Sequence, residues 1–171
     1  MNKRGQFYLI AAIVLITIAV GFVIVSNSAS SQQTPNIYFL RDELKIESSK
    51  IIDYATSNQL SGTQTQSTLI DFSNQYINNS QNDNFYFLFG NTTNMTFLSY
   101  QAYYANVTLN GIDYTSNVSV GKTYIKTFVP GSNVIIGING NPYPFILNNG
   151  VNFNFVLTNN GGEQNYTATS Q

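Results

Sequence analysis

The sequence contains no histidine, no cysteine and no tryptophan, and only 9% of its 171 residues are charged. Without cysteine, the chain can have no disulfide framework, thiolate metal site or cysteine nucleophile. Without histidine, it can have no Ser-His-Asp triad, HExxH zinc site or imidazole base. Nucleic-acid binding needs clustered basic side chains, and only Lys122 and Lys126 follow residue 50. We therefore expect no cofactor, no metal site and no nucleic-acid partner.

Carboxylates are also too sparse for a recognisable catalytic pair. After residue 82 the chain has only Asp83, Asp113 and Glu163, which are far apart in sequence. A pair for glycoside hydrolysis would have to come from these three. Neither GxSxG nor a phosphate-binding GxxxxGK(S/T) motif occurs. Asn82-Asp83-Asn84 could offer oxygen ligands to Ca²⁺, but it supplies one carboxylate, and a turn is the expected role. We expect that the protein is not an enzyme.

The longest apolar segment runs from Phe7 to Val25, nineteen residues without a charge. A helix over this apolar run would span roughly 28 Å at about 1.5 Å per residue, close to the hydrocarbon thickness of a bilayer. A core helix of this length usually keeps a polar stripe, whereas this run is apolar all round. The sequence therefore predicts a single transmembrane helix over residues 6–26.

Charges around the apolar run predict its orientation. Lys3 and Arg4 precede it, and the next charged residue is Arg41. The positive-inside rule then places the N-terminus in the cytoplasm and the chain from about residue 26 onward outside the membrane. The lipid bilayer is thus an expected partner. A secretory signal peptide cut near Ala29 is the alternative, although the apolar core of such a peptide has only about 7–15 residues.

The segment Lys3-Arg4-Gly5-Gln6-Phe7, followed by the apolar run, resembles the class III signal peptide of archaeal type IV pilin-like proteins. In that family a prepilin peptidase cuts after a short basic leader that ends in Gly or Ala. The resemblance implies a leader of residues 1–5 that ends at Gly5, so that Gln6 begins the mature chain. Ile10, or Ala11 if the mature chain is counted from Phe7, stands where many pilins carry Glu. The family also implies two partners, the prepilin peptidase and copies of the chain that pack through their apolar runs.

A polar linker at residues 27–34 leads to a predicted helical segment over residues 35–80. Thr34-Pro35 is typical of an N-cap followed by proline at the first helical position. Hydrophobic spacing predicts one helix that ends between residues 58 and 62 and a second at residues 66–77. The expected inward side chains are Ile37, Leu40, Leu44, Ile51 and Ala55, then Leu69, Ile70, Phe72, Tyr76 and Ile77.

After residue 82 the hydrophobic period changes to two, which is typical of strands. In residues 151–157, Val151, Phe153, Phe155 and Leu157 alternate with other side chains and are expected on one face. Asn-Gly pairs at 110–111, 139–140 and 149–150 are candidate hairpin turns. Pro142 and Pro144 indicate a loop or an edge strand. Other predicted strands cover residues 85–89, 95–103, 106–109, 112–120, 123–129 and 134–138, about seven in total.

The sequence thus predicts an α+β protein with three parts. An N-terminal transmembrane helix comes first, and an amphipathic helical segment follows. Residues 81–171 then form an antiparallel β-sandwich or open-barrel head, which we expect to fold by itself.

Two groups of side chains are candidates for surface roles. Asn-x-Ser/Thr motifs, which permit N-glycosylation, occur in the part expected outside. They begin at Asn78, Asn91, Asn94, Asn106, Asn117 and Asn165. Aromatic side chains could instead build a carbohydrate-stacking surface, but alternating aromatics in strands are more often core. These are Tyr100, Tyr103, Tyr104, Tyr114, Phe85, Phe87, Phe97 and Phe128.

These observations favour a non-enzymatic cell-surface structural protein with one membrane pass. In the first hypothesis the apolar run anchors the chain or packs into a filament core, with the β head outside. Two alternatives remain: a monomeric membrane-anchored surface or adhesion domain, and a secreted binding domain freed by cleavage near Ala29.

Overall fold

The computed structural model describes residues 36–80, 82–160 and 165–170. The sequence predictions for the leader, the transmembrane helix and the polar linker lie outside these residues. From Asn36 onward the described chain forms one compact unit. None of its described helices is long and apolar enough to cross a membrane.

Two helices open this unit, α1 (Asn36–Ser57) and α2 (Gly62–Asn79). Helix α1 ends where the chain turns at Gln59, whose positive φ of 52° allows the amides of Gln59 and Leu60 to reach back to the last turn. Helix α2 begins four residues earlier than predicted because Ser61 and Gln64 form a capping box. That Ser-x-x-Gln signal is present in the sequence, and the hydrophobic period alone missed it.

Nine strands follow within the described residues, and every pairing between them is antiparallel. They are β1 (Asp83–Gly90), β2 (Met95–Tyr100), β3 (Val107–Leu109), β4 (Ile112–Asp113), β5 (Thr123–Phe128), β6 (Asn133–Ile138), β7 (Asn141–Ile146), β8 (Asn152–Asn160) and β9 (Asn165–Thr169). One sheet has the order β5-β2-β1-β8-β9, and the other has the order β4-β3-β6-β7. The predicted α+β class with antiparallel pairing is confirmed.

Strand β1, at the centre of the five-stranded sheet, is covered on both faces. On one face, Phe85, Phe87 and Phe89 of β1 belong to a buried cluster with the inward residues of α1 and α2. On the other face, Tyr86 and Leu88 belong to a second cluster with side chains of the four-stranded sheet. Every residue of β1 up to Phe89 is therefore buried, and the strand lacks the polar-apolar alternation of a half-exposed sheet.

The inward positions predicted for α1 and α2 are buried or half-buried, as expected from their spacing. The prediction for residues 151–157 was only partly right. Phe155 and Leu157 are fully buried, but Val151 precedes β8 and is 37% exposed. Val156, on the opposite face of β8, is also fully buried because the second sheet covers it.

Two strand ends, one predicted turn and one predicted loop or edge segment differ from or refine the predictions. The predicted strand at 112–120 stops at Asp113, where the chain turns, and the one at 95–103 stops at Tyr100. The pair Asn149-Gly150 is not a hairpin turn, because it connects β7 of one sheet to β8 of the other. Residues 141–146 form a strand despite their two prolines.

The other two Asn-Gly pairs do make the predicted hairpin turns. Asn110 and Asn139 each have a φ of 50°, and the glycines after them have φ values of 79° and 83°. Each asparagine also binds a neighbouring strand through its side chain. Asn110 Oδ1 accepts from the Ile135 amide at 2.8 Å, and Asn139 Oδ1 accepts from the Asn106 amide at 2.9 Å.

Strand β7 is an edge strand, as its prolines indicated. Because a two-residue turn joins β6 to β7, Ile138 and Asn141 form a hydrogen-bonded pair. The backbone N–H and C=O groups of every second residue along β7 therefore point away from β6, toward the open edge. Pro142 and Pro144 occupy those outward positions, where any other residue would present a free N–H at the open edge. The edge therefore lacks two of the donors that a further strand would need.

The shared core makes the helices part of the folding unit of the strands. We expect residues 36–171 to fold cooperatively and residues 81–171 to be much less stable, because removal of the helices exposes Phe85, Phe87 and Leu157. Exposure of each such side chain costs about 1.5–3 kcal/mol. Circular dichroism melts of the two chains would test this. Equal melting temperatures would show that the helices are dispensable and that the head folds by itself, as the sequence analysis expects.

Candidate interaction surface and modification sites

Described acidic side chains do not assemble into a site. Within the described ranges, no three of them come together in a way that could hold a metal ion. Asp83 is buried on β1, whereas Asp113 is exposed on β4. The Asn82-Asp83-Asn84 segment does not present its oxygens to a cation, because Asn84 is fully buried and its side-chain oxygen accepts two backbone amides.

Asn84 fixes the chain where it leaves β2. Its Oδ1 accepts from the amides of Ala102 and Tyr103 at 2.8 and 3.2 Å. Its Nδ2 donates to the Tyr103 carbonyl and to the Tyr86 hydroxyl, both at 3.2 Å. Because backbone groups occupy both ends of this amide, its orientation is determined. Asn84 therefore stops β2 at Tyr100 and turns the chain.

Gln101 continues the same buried network. Its Nε2 donates to the Ala105 carbonyl at 2.8 Å and to the Tyr86 hydroxyl at 3.1 Å. Burial raises the pKa of Tyr86 to about 12, although the hydrogen bonds from Gln101 and Asn84 oppose that rise. Two fully buried atoms, Ser99 Oγ and Gln101 Oε1, have no hydrogen-bond partner within the described residues.

We expect the Tyr86→Phe variant to lose about 1–3 kcal/mol of unfolding free energy, because two buried amide groups each lose an acceptor. Urea denaturation would measure the loss. Tyr100→Phe is the matched control, since the half-buried Tyr100 hydroxyl has no described partner, and its change should stay within about 0.5 kcal/mol. Equal losses in the two variants would show that the Tyr86 hydroxyl does not organise the network.

Asp83 is a buried carboxylate beside the end of β8. Asn159 Nδ2 donates a short hydrogen bond to it. Burial raises the pKa of Asp83, and hydrogen bonds from Asn159 and Ser80 offset part of that rise. The folded state therefore holds the proton more tightly than the unfolded state.

Stability should fall as the pH rises from the usual aspartate pKa of about 3.9 to the raised pKa of Asp83. The Asp83→Asn variant should lack this decline, as measured by denaturation at a series of pH values. Asp113→Asn is the control. Hydrogen bonds from Thr115 lower the pKa of the exposed Asp113, so its contribution to the pH dependence of stability lies at pH values below the usual aspartate pKa. If the stability of the Asp83→Asn variant still falls over this pH range, another titrating group causes the fall.

Helix α1 keeps a row of large apolar side chains in solvent. Phe39, Ile46 and Tyr54 are 71%, 57% and 59% exposed. Their spacings of seven and eight residues place them on one side of the helix, away from the buried Leu44. We call these three residues the outer stripe. The exposed Glu43 and Lys50 lie between them on the same side, so the outer stripe is a row of separate apolar side chains and not a continuous patch.

The candidate glycosylation residues lie on turns and element ends. Asn78 is near the end of α2, Asn91 and Asn94 lie in the β1–β2 connection, and Asn165 begins β9. Asn106 precedes β3, and Asn117 lies in the turn after β4. Five of these residues are exposed: Asn78, Asn91, Asn94, Asn106 and Asn117.

The candidate aromatic residues do not form one surface. Phe85, Phe87 and Phe97 are fully buried, and Phe97 lies on the opposite face of the sheet from the other two. Tyr104 is exposed but donates its hydroxyl to Asn106 Oδ1 at 2.8 Å. Tyr114 packs against Tyr124, with ring centroids 6.2 Å apart. Most of this aromatic set is core or lies at the margin of the core.

The chain matches no protein-family model, no curated protein sequence and no solved structure. The resemblance to archaeal pilin-like proteins therefore rests on residues 3–25.

Proposed function

We propose that the protein is a non-enzymatic structural subunit of the cell surface. The helix expected over residues 6–26 anchors in the membrane or packs into a filament core with other copies. Residues 36–171 form an α+β head, with the two sheets as a β-sandwich, on the outer side. Lys3 and Arg4 stay on the cytoplasmic side until a prepilin peptidase removes the leader after Gly5.

One observation carries this proposal. An apolar run of membrane-spanning length follows Lys3-Arg4-Gly5-Gln6, and ten residues separate its end from the start of a compact unit. Such a run needs a bilayer or an apolar bundle, because exposure to water costs about 25 cal/mol for each Å² of apolar surface. Asn36–Gln171 is a separate unit with its own core, so the apolar run is not required to complete that core.

The outer stripe supports contact between copies. Phe39, Ile46 and Tyr54 lie on the first helix after the apolar run, and the head leaves them exposed. Association of apolar runs would bring the α1 helices of neighbouring copies close to one another, since only a short polar linker separates the two segments. Burial of the outer stripe between neighbours would then add to the association.

The alternatives differ in the mass of the mature chain. The proposed function requires loss of residues 1–5. A membrane-anchored surface or adhesion domain that stays monomeric would keep its full length, and a secreted binding domain would lose about thirty residues by cleavage near Ala29. Intact mass spectrometry of protein from its native membranes separates the three.

Gly5→Phe should block leader removal and filament formation and leave membrane insertion unchanged. Insertion depends on the apolar run, whereas an uncut chain brings Lys3 and Arg4 beside an apolar bundle, where a cation costs several kcal/mol unless it is paired or reaches water. Mass spectrometry, membrane fractionation and electron microscopy give the three readouts.

Gly5→Ala is the matched control for this experiment, because the resembled leader ends in Gly or Ala. It should be cut and assembled like the natural chain. If Gly5→Phe also has the natural size and assembles normally, the peptidase hypothesis fails and the plain membrane-anchored domain becomes the better account.

A further inference from the structure

The β1–β2 hairpin ends in a tight corner. Asn91 and Asn94 exchange backbone hydrogen bonds of 3.0 and 3.3 Å, which leaves Thr92 and Thr93 as the two corner residues. The corner requires glycine at position 90. Gly90 has a φ of 135°, and a Cβ at that position would lie 2.2 Å from the Asn94 carbonyl oxygen. The corner is thus an exposed turn at one end of the five-stranded sheet, and its Asn91 and Asn94 line a shallow pocket beside Gln66 of α2.

The side chain of Asn91 is held in this corner through its oxygen alone. Asn91 Oδ1 accepts from the Thr93 hydroxyl at 2.8 Å, the Thr93 amide at 3.0 Å and the Asn94 amide at 2.8 Å. Its Nδ2 makes no described hydrogen bond, and the side chain is exposed. Nδ2 therefore has no hydrogen-bond partner among the described residues, and the hydroxyl of its own Asn-x-Thr motif is bound to the same amide group.

We propose that Asn91 is the preferred N-glycosylation site of the chain, modified by a membrane-bound transferase from a polyprenyl-phosphate-linked oligosaccharide. The inference rests on the proposed function to the extent that the head must lie on the outer side of the membrane.

The bonding at Oδ1 suits this transfer. Asn91 Nδ2 forms a bond to C1 of the first sugar, and the bond from C1 to the phosphate oxygen breaks, with its electron pair leaving on the polyprenyl phosphate. One Nδ2 proton passes to a base of the transferase, and no oxidant or reductant is needed. Three donors on Oδ1 stabilise the negative charge that the amide acquires as this proton leaves.

Asn94 is the nearest competitor and lacks this geometry. The hydroxyl of its motif belongs to Thr96, which is only 1% exposed and accepts a short hydrogen bond from Gln66 of α2. A transferase would have to separate β2 from α2 to reach both ends of the motif. Asn94 therefore has an exposed amide and a buried hydroxyl.

Three other motifs are also less suited. Asn106 Oδ1 accepts from the Tyr104 hydroxyl instead of its own motif, and Thr108 lies within β3. Asn78 is still in the last turn of α2. Asn117 lies in an exposed turn, but no described hydrogen bond joins its side chain to Ser119.

Glycopeptide mass spectrometry of the protein from its native membranes tests the assignment. We expect a saccharide on the peptide that contains Asn91 and a bare side chain at Asn94. Thr93→Ser should keep the saccharide because it retains the hydroxyl. Thr93→Val, which has the same shape without the hydroxyl, should lower occupancy at least tenfold. Asn94→Gln should leave occupancy at Asn91 unchanged.

Protease treatment of intact cells separates this proposal from the proposed function. A head that is digested from outside and has a saccharide at Asn91 supports the assignment. A head that is digested from outside with Asn91 bare, or with occupancy mainly at another motif, overturns the assignment and leaves the proposed function standing. A head that is protected in intact cells and digested after lysis overturns the proposed function itself.

Discussion

Burial of β1 on both faces is the constraint on which the rest of the fold depends. Phe85, Phe87 and Phe89 need the helices above the sheet, and Tyr86 and Leu88 need the second sheet below it. Together with its neighbours β2 and β8, this strand supplies the apolar faces against which both covers pack. A chain with few charges gains most of its folding free energy from such contact, and the absence of cysteine leaves no covalent support for it.

Water does not reach the polar backbone groups near the end of a strand that is buried on both faces. Asn84 and Gln101 provide hydrogen bonds to these groups instead. They satisfy backbone groups between residues 101 and 105, where the chain leaves the first sheet and passes toward the second. Both amides also meet at the hydroxyl of Tyr86, so that the passage has one geometry. Polar groups inside a core specify such a path more sharply than apolar packing does.

Local signals could be read from the sequence, and signals that depend on distant neighbours could not. The helical period of α1 and the turns at Asn110 and Asn139 follow from spacing and from residue type. The second bond of each asparagine, to Ile135 or Asn106, depends on which strand lies alongside. The same limit separates Asn91 from Asn94, which have equivalent motifs in the sequence. The hydrogen bonds on Asn91 Oδ1 and the contact of Gln66 with Thr96 distinguish them.

The prolines of β7 have a consequence for crowded surfaces. Under the proposed function, heads tethered to one membrane or one filament would meet at effective concentrations of about millimolar, at which weak contacts between identical edges become populated. Two sheets that met along β7 would lack donors at Pro142 and Pro144 and could not merge into one continuous sheet. In the proposed assembly, neighbouring heads would therefore touch along this side without joining their sheets there.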